Sequence, residues 1–324
     1  MSTKEQVLEA LLEADEALSG ERLARRLGMS RNSVWKAILQ LRNEGYEIDA
    51  VTNRGYSLRK DREMVSEAGI RRWLTARTMG NRIEVHQELV STNTRAKELA
   101  AQGAPHGTLV CARAQTGGRG RFGRRFFSPP ESGIYMSLLL RPQIPAQQAV
   151  LMTTMSAVAT ARAIEKLADV HVQIKWVNDL YIGEKKTCGI LCEAGMDFES
   201  GQLEYAIAGI GVNTAPVVFP EELSQIATSV GNACGHDISK NRLIAQICNC
   251  MEELYPQLEN GAFMQESRER SNVIGRKIIA YRGDVSFTGT ALDIDDEGGL
   301  IVETDAGVQT LRSGEISIRL EKNK

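Results

Sequence analysis

Residues 117–125 read GGRGRFGRR, four arginines and four glycines in nine positions. Glycines let backbone amides approach an anion closely, and arginines supply forked donors of fixed charge. The pattern suits a phosphate, although a solvated basic loop or a weak RNA contact would have the same composition. Gly118–Gly123, GRGRFG, also matches the G-x-G-x-x-G of dinucleotide folds letter for letter. Its surroundings do not match. That motif opens a helix whose N-terminus faces the pyrophosphate, whereas here RRFFSPPESG follows and Pro129-Pro130 bars a helix. The ribose-binding acid expected about 20 residues further on is missing from residues 138–143, and no P-loop Gly-Lys-Ser/Thr is present. With no acid between Gly117 and Glu131, the arginines repel one another. The loop is therefore expected to be mobile alone and to order on an anion.

Two more stretches carry candidate chemistry. In KWVNDLY, Lys175 to Tyr181, the preceding VQI reads as a strand that delivers Lys175, and Asn178-Asp179 reads as the turn that reverses the chain. A lysine at a strand end can neutralise a carboxylate and a phosphoryl oxygen together. The run Ser91-Thr92-Asn93 sits at a strand-to-helix corner, where a plain helix N-cap would use the same residue types.

These residues need a scaffold. Residues 66–272 alternate strand-like and helix-like runs, which predicts a mixed α/β domain. RIEVHQEL, GTLVCARA, GIYMSLLL, VQIKW, TCGILCEA and LEYAIAGIGVN read as strands. NTRAKELAAQG, AQQAVLMTTMSAVATARAIEKLA and SKNRLIAQICNCMEELYPQL read as helices, with Met152 and Met155 expected in the core. Residues 273–324 change to short strands broken by turns at Gly283-Asp284 and Gly298-Gly299, the pattern of a small SH3-like β-barrel.

Residues 1–65 read as three helices and a hairpin. Ser19 caps a helix ending at Gly28, Ser30 caps the next, and Val34, Ile38 and Leu41 recur at i, i+4 and i+7. The order predicts a winged helix-turn-helix. From Arg22 to Asn43 there are six basic residues and no acid, while the first helix region carries Glu5, Glu9, Glu13, Asp15 and Glu16. Ser30, Arg31, Asn32, Ser33 and Lys36 are the candidate DNA-contacting residues. Arg54, in the Asn53-Arg54-Gly55 turn, is the candidate on the wing, with Arg59 and Lys60 nearby. A small packing or dimerisation module is the alternative. The fold class is α+β in three domains.

The whole chain narrows the field further. It has 324 residues, 42% hydrophobic content and a net charge of −2, so any attraction to nucleic acid is local. Six cysteines without a C-x-x-C pair suit buried free thiols rather than a metal site. MSTKEQVLEA is not a signal peptide, and no run approaches the ~18 apolar residues of a membrane span. A cytoplasmic protein with no membrane partner is expected.

Taken in order, the motifs resemble those of the biotin–protein ligases. They are STN (Ser91, Thr92, Asn93), Q-x-x-G-R-G-R (Gln115, Gly118, Arg119, Gly120, Arg121), KW-x-ND (Lys175, Trp176, Asn178, Asp179), GIL from Gly189, and GIGVN from Gly209. The helix-turn-helix extends the likeness to the bacterial bifunctional members, in which ligase and biotin-operon repressor share one polypeptide. Val177 stands where the family usually has proline, which touches the stiffness of the turn but removes no chemical group. The resemblance implies that biotin and ATP, with Mg²⁺, give biotinyl-5′-adenylate and pyrophosphate. The biotinyl group then passes to a lysine of the biotin carboxyl carrier protein, and no cofactor is tightly held.

By matching position, Lys175 belongs between the carboxylate and the α-phosphate. Arg119 and Arg121, with Gly118 and Gly120, close the loop over the intermediate. Ser91, Thr92, Asn93 and Gln115 serve the ureido group and its surroundings, and Asn178 and Gly189 line the same site. Operator DNA and a ligand-promoted homodimer complete the implied partners. A lipoate–protein ligase, or a ligand-sensing transcription factor without ligase activity, are the other readings.

Overall fold

The computed structural model describes residues 2–320 except 15, 44, 52, 53, 60–63, 198, 200, 217, 283, 284 and 313–315, and only the backbone of 51, 282, 316, 317, 319 and 320. Asp15, Asn53, Lys60, Gly283 and Asp284, named above, lie outside the described residues. The chain divides into two compact units, Met1–Trp73 with Ser239–Arg242, and Leu74–Ile238 with Leu243–Lys324.

The smaller unit holds α1 (Thr3–Glu13), α2 (Gly20–Leu27), α3 (Arg31–Asn43), β1 (Ile48–Val51), β2 (Gly55–Leu58) and α4 (Glu67–Arg71). Local sequence sets each boundary. Ser2 and Glu5 close a capping box on α1. Ser19 accepts from the Arg22 N–H, and α2 ends at Gly28 with φ 63°. Ser30 Oγ accepts from the Ser33 N–H at 3.0 Å to start α3. Val7, Leu11, Leu23, Val34, Ile38 and Leu41 then meet in one core. At the end of α3, Arg42 donates from Nε to the Ile48 carbonyl at 2.9 Å and so ties the hairpin to the helix. The hairpin pairs Ile48 with Leu58.

This is the expected helix-turn-helix with its wing, with one correction. Arg59 does not add free charge to the wing, because it is paired with Glu47 at 3.1 Å and Asp49 at 3.6 Å. Asn241 completes the unit, accepting from the Ser66 N–H and donating to the Met64 carbonyl, both at 2.9 Å.

The larger unit is built on a seven-stranded sheet ordered β3-β4-β5-β9-β8-β7-β6. In chain order the elements are β3 (Ile83–Leu89), α5 (Thr92–Ala101), β4 (Thr108–Gln115), β5 (Gly133–Leu140), α6 (Ala149–Glu165), β6 (Val172–Lys175), β7 (Asp179–Ile182), β8 (Lys185–Met196) and β9 (Leu203–Asn213). α7 (Glu221–Ser224), α8 (Val230–Cys234), α9 (Lys240–Leu254), whose first three residues belong to the smaller unit, and α10 (Met264–Glu269) follow. Only β3 and β4 are parallel, joined through α5. Every expected strand is present. The strand β7 is an addition: it lies in the run read above as a turn, and it pairs with β6 so that Lys175 faces Asp179. Met152 and Met155 are buried, as expected.

Side chains alternate across a strand, and this decides what each face of the sheet meets. Ile207, Gly209 and Gly211 of β9 share one face. Ile207 packs in the α5 core with Leu99, and Gly209 lies against Asn93 of α5. Cys192 of β8 faces the other way, toward Thr153 and Ser156 of α6. The site described below therefore shares its face of the sheet with α5, and α6 backs the opposite face.

The C-terminal strands β10 (Lys277–Arg282), β11 (Val285–Ile294), β12 (Leu300–Thr304), β13 (Gly307–Leu311) and β14 (Ile316–Leu320) form an antiparallel sheet ordered β13-β12-β11-β10-β14. All six cysteines are free, and four of them are buried. Among the described residues no helix is long and apolar enough to cross a membrane.

Candidate functional site

The glycine–arginine segment forms a hydrogen-bonded turn between β4 and β5. The Gly120 N–H donates to the Arg124 carbonyl at 2.7 Å, and the Phe126 N–H donates to the Gly118 carbonyl at 3.0 Å. Phe122 at the tip has φ 58° and Gly123 has φ 71°. These backbone bonds define the hairpin, on which Arg119, Arg124 and Arg125 are exposed and Arg121 is half-buried. The glycines are not equivalent. A Cβ on Gly118 would lie 2.6 Å from Ser128 Oγ and 2.9 Å from the Phe126 carbonyl, so the fold itself demands glycine there. A Cβ on Gly120 would sit 3.6 Å from the Arg124 carbonyl, an ordinary contact, so the fold leaves that position open.

Arg119 and Arg121 reach different walls. Arg119 donates to Thr94 Oγ1 on α5 at 3.2 Å. Arg121 donates to Asn178 Oδ1 at 3.4 Å, on the β6–β7 hairpin, and stacks over Phe122 with its guanidinium 4.9 Å from the ring centroid. Burial pulls the Arg121 guanidinium below its ordinary value, with Asp179 opposing the shift. Asn178 is fixed in turn: its Nδ2 donates to the Ile190 carbonyl at 3.0 Å, and the Ile190 N–H returns a bond to its carbonyl at 2.9 Å. Lys175 Nζ lies 5.7 Å from the Tyr181 ring centroid. Burial pushes the Tyr181 phenol up to about 12, so the ring beside the ammonium stays neutral. Lys186 pairs with Asp179 at 2.7 Å. Cationic groups from β6, β8 and the loop thus surround the hairpin end.

Between these walls is a glycine floor. Gly189 of β8 and Gly211 of β9 are register partners, and the Phe126 ring lies against both. A Cβ on Gly211 would come within 2.5 Å of that ring. Phe126 meets Tyr135 edge-on, with centroids 6.5 Å apart.

The STN corner is not the plain N-cap that its sequence allows. Ser91 occupies the cap position, but its side chain makes no cap hydrogen bond. The Thr92 N–H is instead taken by Gln115 Oε1 at 2.8 Å. Asn93 donates to the Leu191 carbonyl at 3.1 Å and to Glu193 at 2.8 Å, and accepts from Ser137 Oγ at 2.6 Å. Lys97 closes the group on Glu193 at 2.5 Å. Burial alone raises the Glu193 carboxyl, but the donors Lys97 and Asn93 hold it below its ordinary value. Three sequence-selected residues, Thr92, Asn93 and Gln115, are thereby bonded inside the protein.

Sequence reasoning missed Ser137, Glu193, Lys186 and Phe126. Glu193 stands two residues beyond GIL and Lys97 one helical turn after Asn93, the only local hints of a contact made across the fold.

Trp176, adjoining Lys175, is buried and donates from Nε1 to the Gly298 carbonyl at 3.0 Å, at the β11–β12 turn. The C-terminal sheet thus braces the strand end that carries Lys175. In the smaller unit Arg31, Asn32, Lys36 and Arg54 are exposed, while the Ser30 and Ser33 hydroxyls bond each other at 2.8 Å.

Comparison with known proteins gives the family of each part of the chain. Residues 86–213 match the biotin/lipoate A/B protein ligase family, residues 3–57 an HTH domain and residues 273–319 the biotin protein ligase C terminal domain. The chain is 41% identical over 311 residues to the bifunctional ligase/repressor BirA of Bacillus subtilis (strain 168), covering 94% of each. It is 29% identical to the BirA of Escherichia coli (strain K12), covering 96% of this chain and 95% of that one. The solved biotin protein ligase from Aquifex aeolicus in complex with biotin and ATP superposes with a TM-score of 0.64 at 26% identity, over 74% of this chain and 99% of that one. With a helix-turn-helix unit, a ligase sheet and a C-terminal β-sheet in one polypeptide, the chain belongs to the BirA-type bifunctional ligase/repressor family.

Proposed function

We propose that the chain is a biotin–protein ligase that also represses transcription by binding DNA, and that its residues divide the work as follows. A biotin carboxylate oxygen attacks the α-phosphorus of ATP, the bond to the β-phosphate oxygen breaks, and pyrophosphate leaves. The barrier the protein can lower is the repulsion between two anions. Lys175, with its strand end braced by Trp176, neutralises both at the point of attack. Arg121 covers the α-phosphate from the loop, and Arg119 closes the α5 side. Gly120, whose open position the fold does not require, lets the backbone approach the phosphate.

Asn93, Thr92 and Gln115 hold the floor and corner in shape through their internal bonds, so their part in biotin binding is largely positioning. Ser91, Asn178, Gly118 and Gly189 complete the lining. The adenylate then yields its acyl group to a lysine amine of a carrier protein, with AMP as the leaving group. Mg²⁺ arrives as part of the nucleotide substrate. Asp179, the carboxylate nearest the cationic cluster, is paired with Lys186, and we assign it no metal.

The observation that carries this reading is the meeting of Arg121 with Asn178 beside Lys175, which joins the G-R-G-R loop to the KW-x-ND hairpin. Functionally we divide the chain at 1–65 (DNA), 66–272 (chemistry) and 273–324 (brace). Ser30, Arg31, Asn32, Ser33, Lys36 and Arg54 face DNA, and the adenylate promotes a homodimer on the operator. Six free cysteines fit a cytoplasmic setting.

The test is pyrophosphate exchange into ATP with biotin or with lipoate. Exchange with biotin alone is expected, reduced at least ~10²-fold in Lys175→Ala, the scale of one lost transition-state donor. Exchange driven by lipoate, or near wild-type exchange in the variant, contradicts the assignment.

A further inference from the structure

Trp35 stands on α3 with 50% of its surface in water, whereas Val34, Ala37, Ile38 and Leu41 of the same helix are buried. The fold gains little from an indole left in solvent. The exposed Trp73, by contrast, has two cationic partners, with the Arg72 and Arg242 guanidinium carbons 5.4 and 4.9 Å from its ring centroid. Around Trp35 the helix surface is polar and basic: Arg31 is one turn earlier, and Asn32 and Lys36 are exposed beside it. No acid occurs from Arg31 to Asn43. Among the described residues Arg31 and Lys36 form no ion pair. A protein partner would have to bury these cations beside the indole without counter-charge from α3. A nucleic-acid backbone brings that counter-charge itself.

In a helix-turn-helix the N-terminal half of the second helix meets base edges in the major groove, and Trp35 is the fifth residue of α3. An indole plate has one N–H and no acceptor, so it is poorly suited to reading hydrogen-bond patterns. The apolar group the major groove offers is the thymine C5 methyl. We infer that Trp35 is a base-reading residue of this repressor, packing its ring on thymine methyls while the polar residues around it supply hydrogen bonds and phosphate contacts. This rests on the DNA-binding role stated above and names the residue and base that give it sequence preference.

The experiment uses the full-length protein with biotin and ATP. Wild type, Trp35→Ala and Trp35→Phe each select duplexes from a random-sequence pool. The best wild-type duplex is then remade with single thymines replaced by uracil, which removes only the methyl. Wild type should lose about 5–30-fold in affinity at one or two uracil positions per half-site, within the usual range for a single altered base pair. Trp35→Ala should bind more weakly, be indifferent to those methyls and lose preference at the same positions. Trp35→Phe should keep part of both and guards against a folding defect in the alanine variant. Unchanged base preference in Trp35→Ala, or equal weakening on every duplex, overturns the inference. Loss of self-association without loss of base preference does the same and assigns the indole to a protein contact. A wild-type protein that enriches no sequence contradicts the DNA-reading role itself.

Discussion

Gly209→Ala tests whether the buried polar group beneath the site is a single rigid unit. The new Cβ would stand 2.0 Å from Asn93 Oδ1 and 2.7 Å from its Cγ. Asn93 cannot swing aside freely, because Leu191, Glu193 and Ser137 all hold its amide. Moving it leaves the Leu191 carbonyl without its side-chain donor, at about 1–3 kcal/mol, while Ser137 Oγ keeps its bond to Thr92 Oγ1 at 2.8 Å. Glu193 keeps Lys97, so its loss is smaller. Overpacking adds about 1–3 kcal/mol, and the sum is roughly 2–6 kcal/mol, a large share of the ~5–15 kcal/mol that stabilises a typical domain. Asn93→Ala alone should cost the hydrogen-bond part only. Combining the two relieves the clash, so the double variant should be no less stable than Gly209→Ala.

Urea unfolding of the larger unit can be followed through Trp176 with Trp35 and Trp73 replaced by phenylalanine. A loss below about 1 kcal/mol for Gly209→Ala, or simple additivity in the cycle, would refute the reasoning.

Gly120→Ala should leave the melting temperature unchanged and lower pyrophosphate exchange at least ~10-fold, while Gly118→Ala should destabilise the hairpin, because only Gly118 lacks room for a Cβ. Trp176→Phe removes the donor to Gly298 and should cost about 1–3 kcal/mol in urea unfolding while slowing exchange; unchanged stability would mean the brace is idle. In Glu252, burial raises the carboxyl, but the N–H groups of Met79, Arg77 and Thr78 outweigh it and hold it below the ordinary 4.5. Glu266 is likewise depressed by Arg162 and Arg270 after a burial effect of opposite sign. A depressed carboxyl contributes stability that is full above the ordinary carboxylate value and is lost as pH falls through the folded one. Urea midpoints of the larger unit should therefore drop below about pH 4.5, and Glu252→Gln should flatten that drop.

Much of this protein is local enough to be legible in its sequence. Caps at Ser19, Ser30 and Gly28 set the small helices because a cap bonds within three or four residues. Period-2 and period-3.6 apolar runs give the strands and long helices for the same reason. The G-R-G-R and KW-x-ND runs announce anion chemistry through residue type alone. The strand β7 stayed hidden because four residues inside a turn-rich run have no periodicity to read, and only pairing with β6 and β8 makes them a strand.

The division of labour among the glycines is a tertiary matter. Gly209 is small for Asn93, 116 residues earlier, and Gly189 and Gly211 are small for Phe126, yet all three look alike in the chain. Arg59 reads as a DNA-facing charge until the hairpin register brings Glu47 and Asp49 to it. Asn93 and Gln115 read as ligand contacts from residue type, and only the fold shows the protein partners they also hold. A side chain's type fixes which bonds it can make. Which of those bonds are made depends on the groups that distant segments bring within about 3 Å, and that is decided only when the sheet closes its register.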